Sequence, residues 1–117
     1  TPGFVVTNFW LDDPSLGGWP CESYSAASRM LQWNPAPTLE NGAVILRAAR
    51  YIPAPGASYE EGGTRYSVVC DLVGGVADVN LDADFTQRAR VDLSPLWANG
   101  LARTPLADLV FTPSGVP

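Results

Sequence analysis

The sequence contains no histidine and no lysine, and all seven of its cationic residues are arginines. Without histidine there is no imidazole general base and no Ser-His or Cys-His nucleophile pair. Without lysine, Schiff-base chemistry and the lysine of a phosphate-binding loop are excluded as well. Because only two cysteines are present, the chain cannot supply the usual ligand sets of a zinc site. We therefore expect a protein that is not an enzyme.

Charge is also scarce, at 16% of the 117 residues, against about 25% in a typical soluble domain. The net charge of −5 argues against nucleic acid as a partner. No apolar run approaches the roughly 20 residues of a membrane helix, so we expect no membrane insertion. Hydrophobic residues still make up 46% of the chain, which predicts one domain over residues 1–117.

Turn-forming residues divide the chain into short segments, a pattern typical of all-β domains. The clearest segment is Ala77–Phe85, where apolar and polar residues alternate with the period of a half-buried strand. A two-residue turn at Gly74-Gly75 would pair Val68 with Leu81 and point the apolar residues of both strands inward. We therefore predict an antiparallel hairpin over residues 64–85.

Further segments extend this pattern. The alternation continues through Ala89 and Val91, with a bulge or bend expected near Gln87. Additional strands are predicted at Phe4–Trp10, Ala43–Ile52 and Leu106–Phe111. The best helix candidates are Ser23–Trp33 and Ala43–Arg50, although both segments are also compatible with strands. About six to eight short strands around one core predict an all-β fold, a single antiparallel β-sandwich, with a small barrel as the alternative.

Three short motifs resemble fibronectin type III and immunoglobulin-like sandwich domains. The interval from Cys21 to Trp33 is similar to that between the cysteine and the core tryptophan of immunoglobulin domains. Met30–Pro35 resembles the Trp-Pro strand of type III modules, and Gly63–Val68 resembles their tyrosine-corner strand. The resemblance implies a sandwich with Trp33 in its core and Tyr66 in the corner.

Cys21 and Cys70 allow a single intrachain disulfide. The predicted hairpin places Cys70 on the inward face, so a bridge across the core is expected, with two buried free thiols as the alternative. Closing so large a loop would contribute on the order of 4 kcal/mol by the chain-entropy model. A disulfide favours an oxidising compartment.

Four oxygen-bearing side chains share one face of the second hairpin strand. The four residues are Asp78, Asn80, Asp82 and Asp84. They could bind Ca²⁺, although the favoured interpretation is a solvent-exposed face whose charge is neutralised by nearby arginines. No metal or other cofactor is otherwise expected.

Aromatic and arginine side chains are the residue types that often dominate protein interfaces. The candidate binding residues are Trp19, Arg50, Tyr59 and Trp97. Trp19 lies between Gly18 and Pro20, where it could equally cap the core.

Low charge with many aromatic and aliphatic residues is typical of subunits that bury surface against neighbours. We therefore expect a non-enzymatic structural or interaction subunit of an extracellular assembly, most concretely a virion decoration protein, whose partners are its own copies or particle subunits. Thr1-Pro2 favours a cleaved leader peptide. The alternatives are a secreted monomer that binds carbohydrate or a host protein, and a small hydrolase using two carboxylates.

Overall fold

The computed structural model describes residues 3, 5, 15, 21–52, 55–56, 63–83, 85–100 and 103–115. Within these residues the chain forms three α-helices and one four-stranded sheet. The helices are α1 (Glu22–Trp33), α2 (Leu39–Ala48) and α3 (Ser94–Asn99), and the strands are β1 (Tyr66–Asp71), β2 (Val76–Leu81), β3 (Gln87–Asp92) and β4 (Thr112–Pro113). The strands follow the order β1-β2-β3-β4, each antiparallel to its neighbour.

This mixture of helices and a single sheet shows that the predicted β-sandwich is wrong. The predicted strand Ala43–Ile52 begins inside helix α2, and Leu106–Phe111 contains a 3-10 turn before β4. The two segments named as helix candidates, Ser23–Trp33 and Ala43–Arg50, account for α1 and most of α2. Within the described ranges, the sheet is therefore packed against helices rather than against a second sheet.

Side-chain caps explain why α1 and α2 form helices. The Cys21 thiol accepts a hydrogen bond from the backbone N–H of Tyr24, at 3.4 Å from sulfur to nitrogen. The Thr38 hydroxyl accepts one from the backbone N–H of Asn41 at 3.1 Å. Each contact satisfies a backbone donor that the first turn of a helix otherwise leaves without a partner. A count of alternating polar and apolar residues does not detect such caps.

The family resemblance also fails at its two aromatic residues. Trp33 is the last residue of α1 and is 68% exposed, so it is not a core tryptophan. Tyr66 begins β1 and is also exposed, so it forms no tyrosine corner. The predicted strand Phe4–Trp10 lies outside the described residues, apart from Val5.

The predicted hairpin between β1 and β2 is confirmed, but its register is two residues away from the predicted one. Asp71 pairs with Val76, and Val68 pairs with Val79 instead of Leu81. Asp71 explains the difference, because its carboxylate accepts a hydrogen bond from the backbone N–H of Gly74 at 2.8 Å. This contact closes a four-residue loop in place of the predicted two-residue turn.

The strand predicted to continue through Ala89 and Val91 is confirmed as β3. The bend expected near Gln87 is a complete turn, because β2 ends at Leu81 and β3 begins at Gln87. In this turn Phe85 has a positive φ of 55° and a fully buried side chain.

Helix α2 covers the face of the sheet that the alternation assigned to solvent. Gly42 of α2 lies so close to Val69 of β1 that a Cβ atom at position 42 would be 2.6 Å from the Val69 Cγ1. Val69 pairs with Asp78, and strand alternation places Asn80 on the same face. Asp78 and Asn80 are accordingly buried.

Candidate interaction surface

An apolar surface lies at the β1 edge of the sheet and around the loop that joins β1 to β2. Its members, here called the apolar surface, are the exposed side chains of Tyr66, Val68, Leu72, Val73 and Trp97. Val73 is fully exposed, and the exposed fraction is 70% for Leu72 and 58% for Trp97. Tyr66 and Val68 alternate along β1, on the face opposite the one that packs against α2.

Helix α3 brings Trp97 to this surface. The Leu93 N–H donates a hydrogen bond to the Gly75 carbonyl at 2.8 Å, which ties the start of α3 to the β1–β2 loop. Gly75 has a φ of +71°, and a Cβ atom there would lie 3.5 Å from the Trp97 ring. The tryptophan therefore stands beside the loop that presents Leu72 and Val73.

The structure does not bring the four candidate binding residues together as one described group. Trp97 lies on the apolar surface, in helix α3. Arg50 follows α2 and is half-buried, and its Nη1 donates to the Arg47 carbonyl at 2.7 Å. Trp19 and Tyr59 lie outside the described residues.

The predicted disulfide is not formed in the structure. Cys21 is buried at the start of α1, and Cys70 is exposed on β1. The prediction assumed that the face of β1 carrying Cys70 points into a core. Because α2 packs on the other face of β1, Cys70 points away from α2.

The four oxygen-bearing residues proposed for Ca²⁺ do not form a single site. Asp78 is 2% exposed, and both of its carboxylate oxygens accept hydrogen bonds from Arg90, at 2.8 and 2.9 Å. Asp82 is exposed in the turn after β2. Asp84 lies outside the described residues, and within those residues no three metal-ligating side chains cluster together.

Asp78 instead centres a polar cluster on the face of the sheet that packs against α2. A nitrogen of Arg88 approaches Asp78 to 3.5 Å, in addition to the two bonds from Arg90. These contacts with Asp78 raise the pKa of the Arg90 guanidinium above its ordinary value, and the charge of Glu40 adds to the effect. Asn80 is completely buried beside them, and neither of its amide atoms has a hydrogen-bond partner within the part of the chain that the structure describes.

A cleft of about 260 Å³ opens where α2 meets β3 and the end of β4. It is lined by Asn34, Glu40, Asn41, Ala43, Val44, Arg88, Ser114 and Gly115.

The Asp78 carboxylate is already bound by arginine. The ion pair therefore neutralises a buried charge and does not leave a carboxylate available to bind a cation.

No known protein family, characterised protein or solved structure matches this chain. The geometry of the described residues therefore carries the functional argument. Among the described helices, none is long and apolar enough to cross a membrane.

Sequence reasoning missed four of the five residues of the apolar surface. Tyr66, Val68 and Leu72 were assigned to the inward face of the hairpin, and Val73 was placed next to its turn. The alternation that predicted the strands identifies two faces but does not say which one a helix covers. The only available signal was the helix propensity of the two alanine-containing segments before the hairpin.

Proposed function

We propose that this protein is a structural subunit that works by self-association through the apolar surface. The observation that carries the proposal is the contrast between what the described residues bury and what they expose. Their buried hydrophobic residues are Cys21, Ala27, Ala43, Ala77, Val79, Phe85 and Ala89. Only Phe85 among these is large, whereas the apolar surface exposes two aromatic and three aliphatic side chains.

The composition of this surface fits a protein interface better than a solvated face. The centres of protein interfaces are poor in charge and rich in aromatic residues. Contiguous exposed apolar patches on soluble proteins commonly mark interaction sites. The scarcity of charge in the whole chain supports the same proposal. An extracellular location and the role of a virion decoration protein stay predictions.

Val73→Ser provides a direct test. Val73 is fully exposed, so its replacement should leave the Tm unchanged while removing apolar area from the interface. We expect self-association, measured by sedimentation velocity over about a hundredfold concentration range, to weaken about tenfold, or about 1.4 kcal/mol.

Val110→Ser is the matched control, because Val110 is 82% exposed and precedes β4, at the opposite edge of the sheet. It should leave association unchanged. A wild-type chain that stays monomeric over the whole range would contradict the proposed function, as would equal effects of the two substitutions.

A further inference from the structure

The outer edge of β1 carries backbone groups that are ready to bind another strand. The Asp82 N–H donates to the Arg65 carbonyl at 2.7 Å, so Arg65 and every second residue after it direct their backbone groups toward β2. Tyr66, Val68 and Cys70 therefore direct their N–H and C=O groups outward. In the part of the chain that the structure describes, no hydrogen bond reaches these outward groups.

Thr64, which lies two residues before β1 begins, confirms this alternation. Thr64 has the same parity as Tyr66, and its outward N–H donates to the Tyr51 carbonyl at 2.9 Å. Among the described residues, the edge is thus covered at Thr64 and open from Tyr66 to Cys70. An open edge of this kind is a template for a further antiparallel strand.

A second copy of the same chain is the partner that fits this edge. A twofold axis perpendicular to the sheet would make the two β1 strands antiparallel and keep each face on its own side. Each residue would then pair with a residue of the second copy whose side chain lies on the same face of the sheet. The residue on the axis would pair with the same residue of the second copy. The possible registers are therefore few, and they differ in which residue lies on the axis.

Charge distinguishes among these registers. With Val68 on the axis, Arg65 lies opposite Asp71 of the second copy at both ends of the pairing. With Val69 on the axis, Arg65 lies opposite Val73 instead, and with Cys70 on the axis it lies opposite Gly75 at the end of the loop. Opposite charges placed directly across two strands stabilise their pairing, and only the Val68 register provides them.

The same register uses every outward backbone group. Val68 would exchange two hydrogen bonds with its copy, and Tyr66 would do so with Cys70 of the second copy. Arg65 and Asp71 would form a pair without ladder hydrogen bonds, in which side chains approach more closely. Beside Asp71, a cleft of about 260 Å³ between β1 and the start of α2 leaves room for the long arginine side chain.

We propose that two copies of this chain join by antiparallel pairing of their β1 strands, with Val68 opposite Val68 and Arg65 opposite Asp71. The inference rests on the proposed self-association and specifies its geometry. The pairing would place Tyr66, Val68 and Cys70 of both copies on one continuous apolar face.

Charge reversal tests the register. Arg65→Glu alone and Asp71→Arg alone each place like charges opposite one another at both ends, so each should weaken dimerisation more than tenfold in sedimentation equilibrium. An equimolar mixture of the two variants pairs Glu with Arg and Asp with Arg, and should dimerise within about threefold of the wild type.

Two controls accompany these variants. Arg103→Glu makes the same charge change at an exposed arginine outside β1 and should have no effect. Asp71→Asn keeps the acceptor for the Gly74 N–H but removes the charge, so it should weaken dimerisation less than Asp71→Arg while preserving the Tm.

Cysteine cross-linking provides an independent measurement. Tyr66→Cys places a thiol opposite Cys70 of the second copy, and mild oxidation should give a covalent dimer whose 66–70 link is found by mass spectrometry. Oxidation of the wild type should not give a Cys70–Cys70 link as the main product. Such a link, or a mixture of charge variants that does not recover dimerisation, would overturn the β1 pairing and leave self-association standing. A monomeric wild type would instead overturn the proposed function.

Discussion

The polar residues of β2 show how a single buried charge is accommodated. Asp78 sits in the middle of the sheet under α2, where an isolated carboxylate would be strongly destabilising. Arg90 lies directly opposite on β3 and binds both carboxylate oxygens, so the charge remains paired. The alternation of the sequence predicted the neighbouring arginines correctly but placed this face in solvent.

Arg90→Met tests the importance of that pair. The change leaves the buried Asp78 carboxylate with only Arg88, at 3.5 Å, so we expect a loss of about 1–3 kcal/mol in the free energy of unfolding. The value lies below that of a wholly buried pair because Arg90 is half-exposed. Denaturant unfolding measures the loss, and Arg29→Met, at an exposed position of α1, should cost less than about 0.5 kcal/mol. Equal losses would show that the ion pair contributes nothing.

At the scale of elements, the contact between α2 and β1 places the helix over the polar face of β2, while Ala77 and Val79 are buried on the opposite face. It depends on the absence of a side chain at Gly42, since a Cβ atom there would overlap Val69. Valine has little rotational freedom about its first side-chain bond, so it cannot easily move aside. The helix and the strand therefore fit together through one specific pair of residues.

Gly42→Ala should destabilise the fold although alanine is the better helix former. The gain in helix propensity is about 1 kcal/mol, and we expect overpacking against Val69 to exceed it, giving a net loss of about 1–2 kcal/mol. Adding Val69→Ala should recover part of the loss, which thermal or urea unfolding of the single and double variants would detect. Additive effects of the two changes would contradict direct packing between these positions.

The extent to which sequence predicted this fold depends on how local the responsible interactions are. The β2 and β3 strands and the β1–β2 hairpin follow from strict alternation, so Val76–Leu81 and Gln87–Asp92 were accessible from sequence, whereas the turn between them was predicted only as a bulge or bend. The register was not, because one hydrogen bond from Gly74 to Asp71 extends the loop. The apolar surface was also missed, because the choice of covered face is made by α2, far away in sequence.

At the scale of the whole molecule, the described residues bury little large apolar surface for a chain with 46% hydrophobic residues. Small buried side chains such as Ala27, Ala43 and Ala89 contribute less transfer free energy than leucine or phenylalanine would. The proposed self-association would bury further apolar surface, so folding and association should be thermodynamically linked.

This linkage predicts a Tm that rises with protein concentration. Going from about the dimer Kd to about a hundred times that value should stabilise the fold by about 2–3 kcal/mol, which corresponds to several degrees. Differential scanning calorimetry of a dilution series measures the effect. Arg65→Glu should reduce the dependence on concentration, and a wild-type Tm that does not change with dilution would contradict the linkage.

The two edges of the described sheet are unequal, and this inequality limits growth. β4 is only two residues long and contains Pro113, which has no backbone N–H to donate, so this edge is a poor template for another strand. Pairing through β1 is symmetric and uses the long edge of both copies at once. The proposed pairing would therefore give a closed dimer in which the described strands form one eight-stranded sheet, four from each copy, and edge pairing would not propagate from it into a fibril.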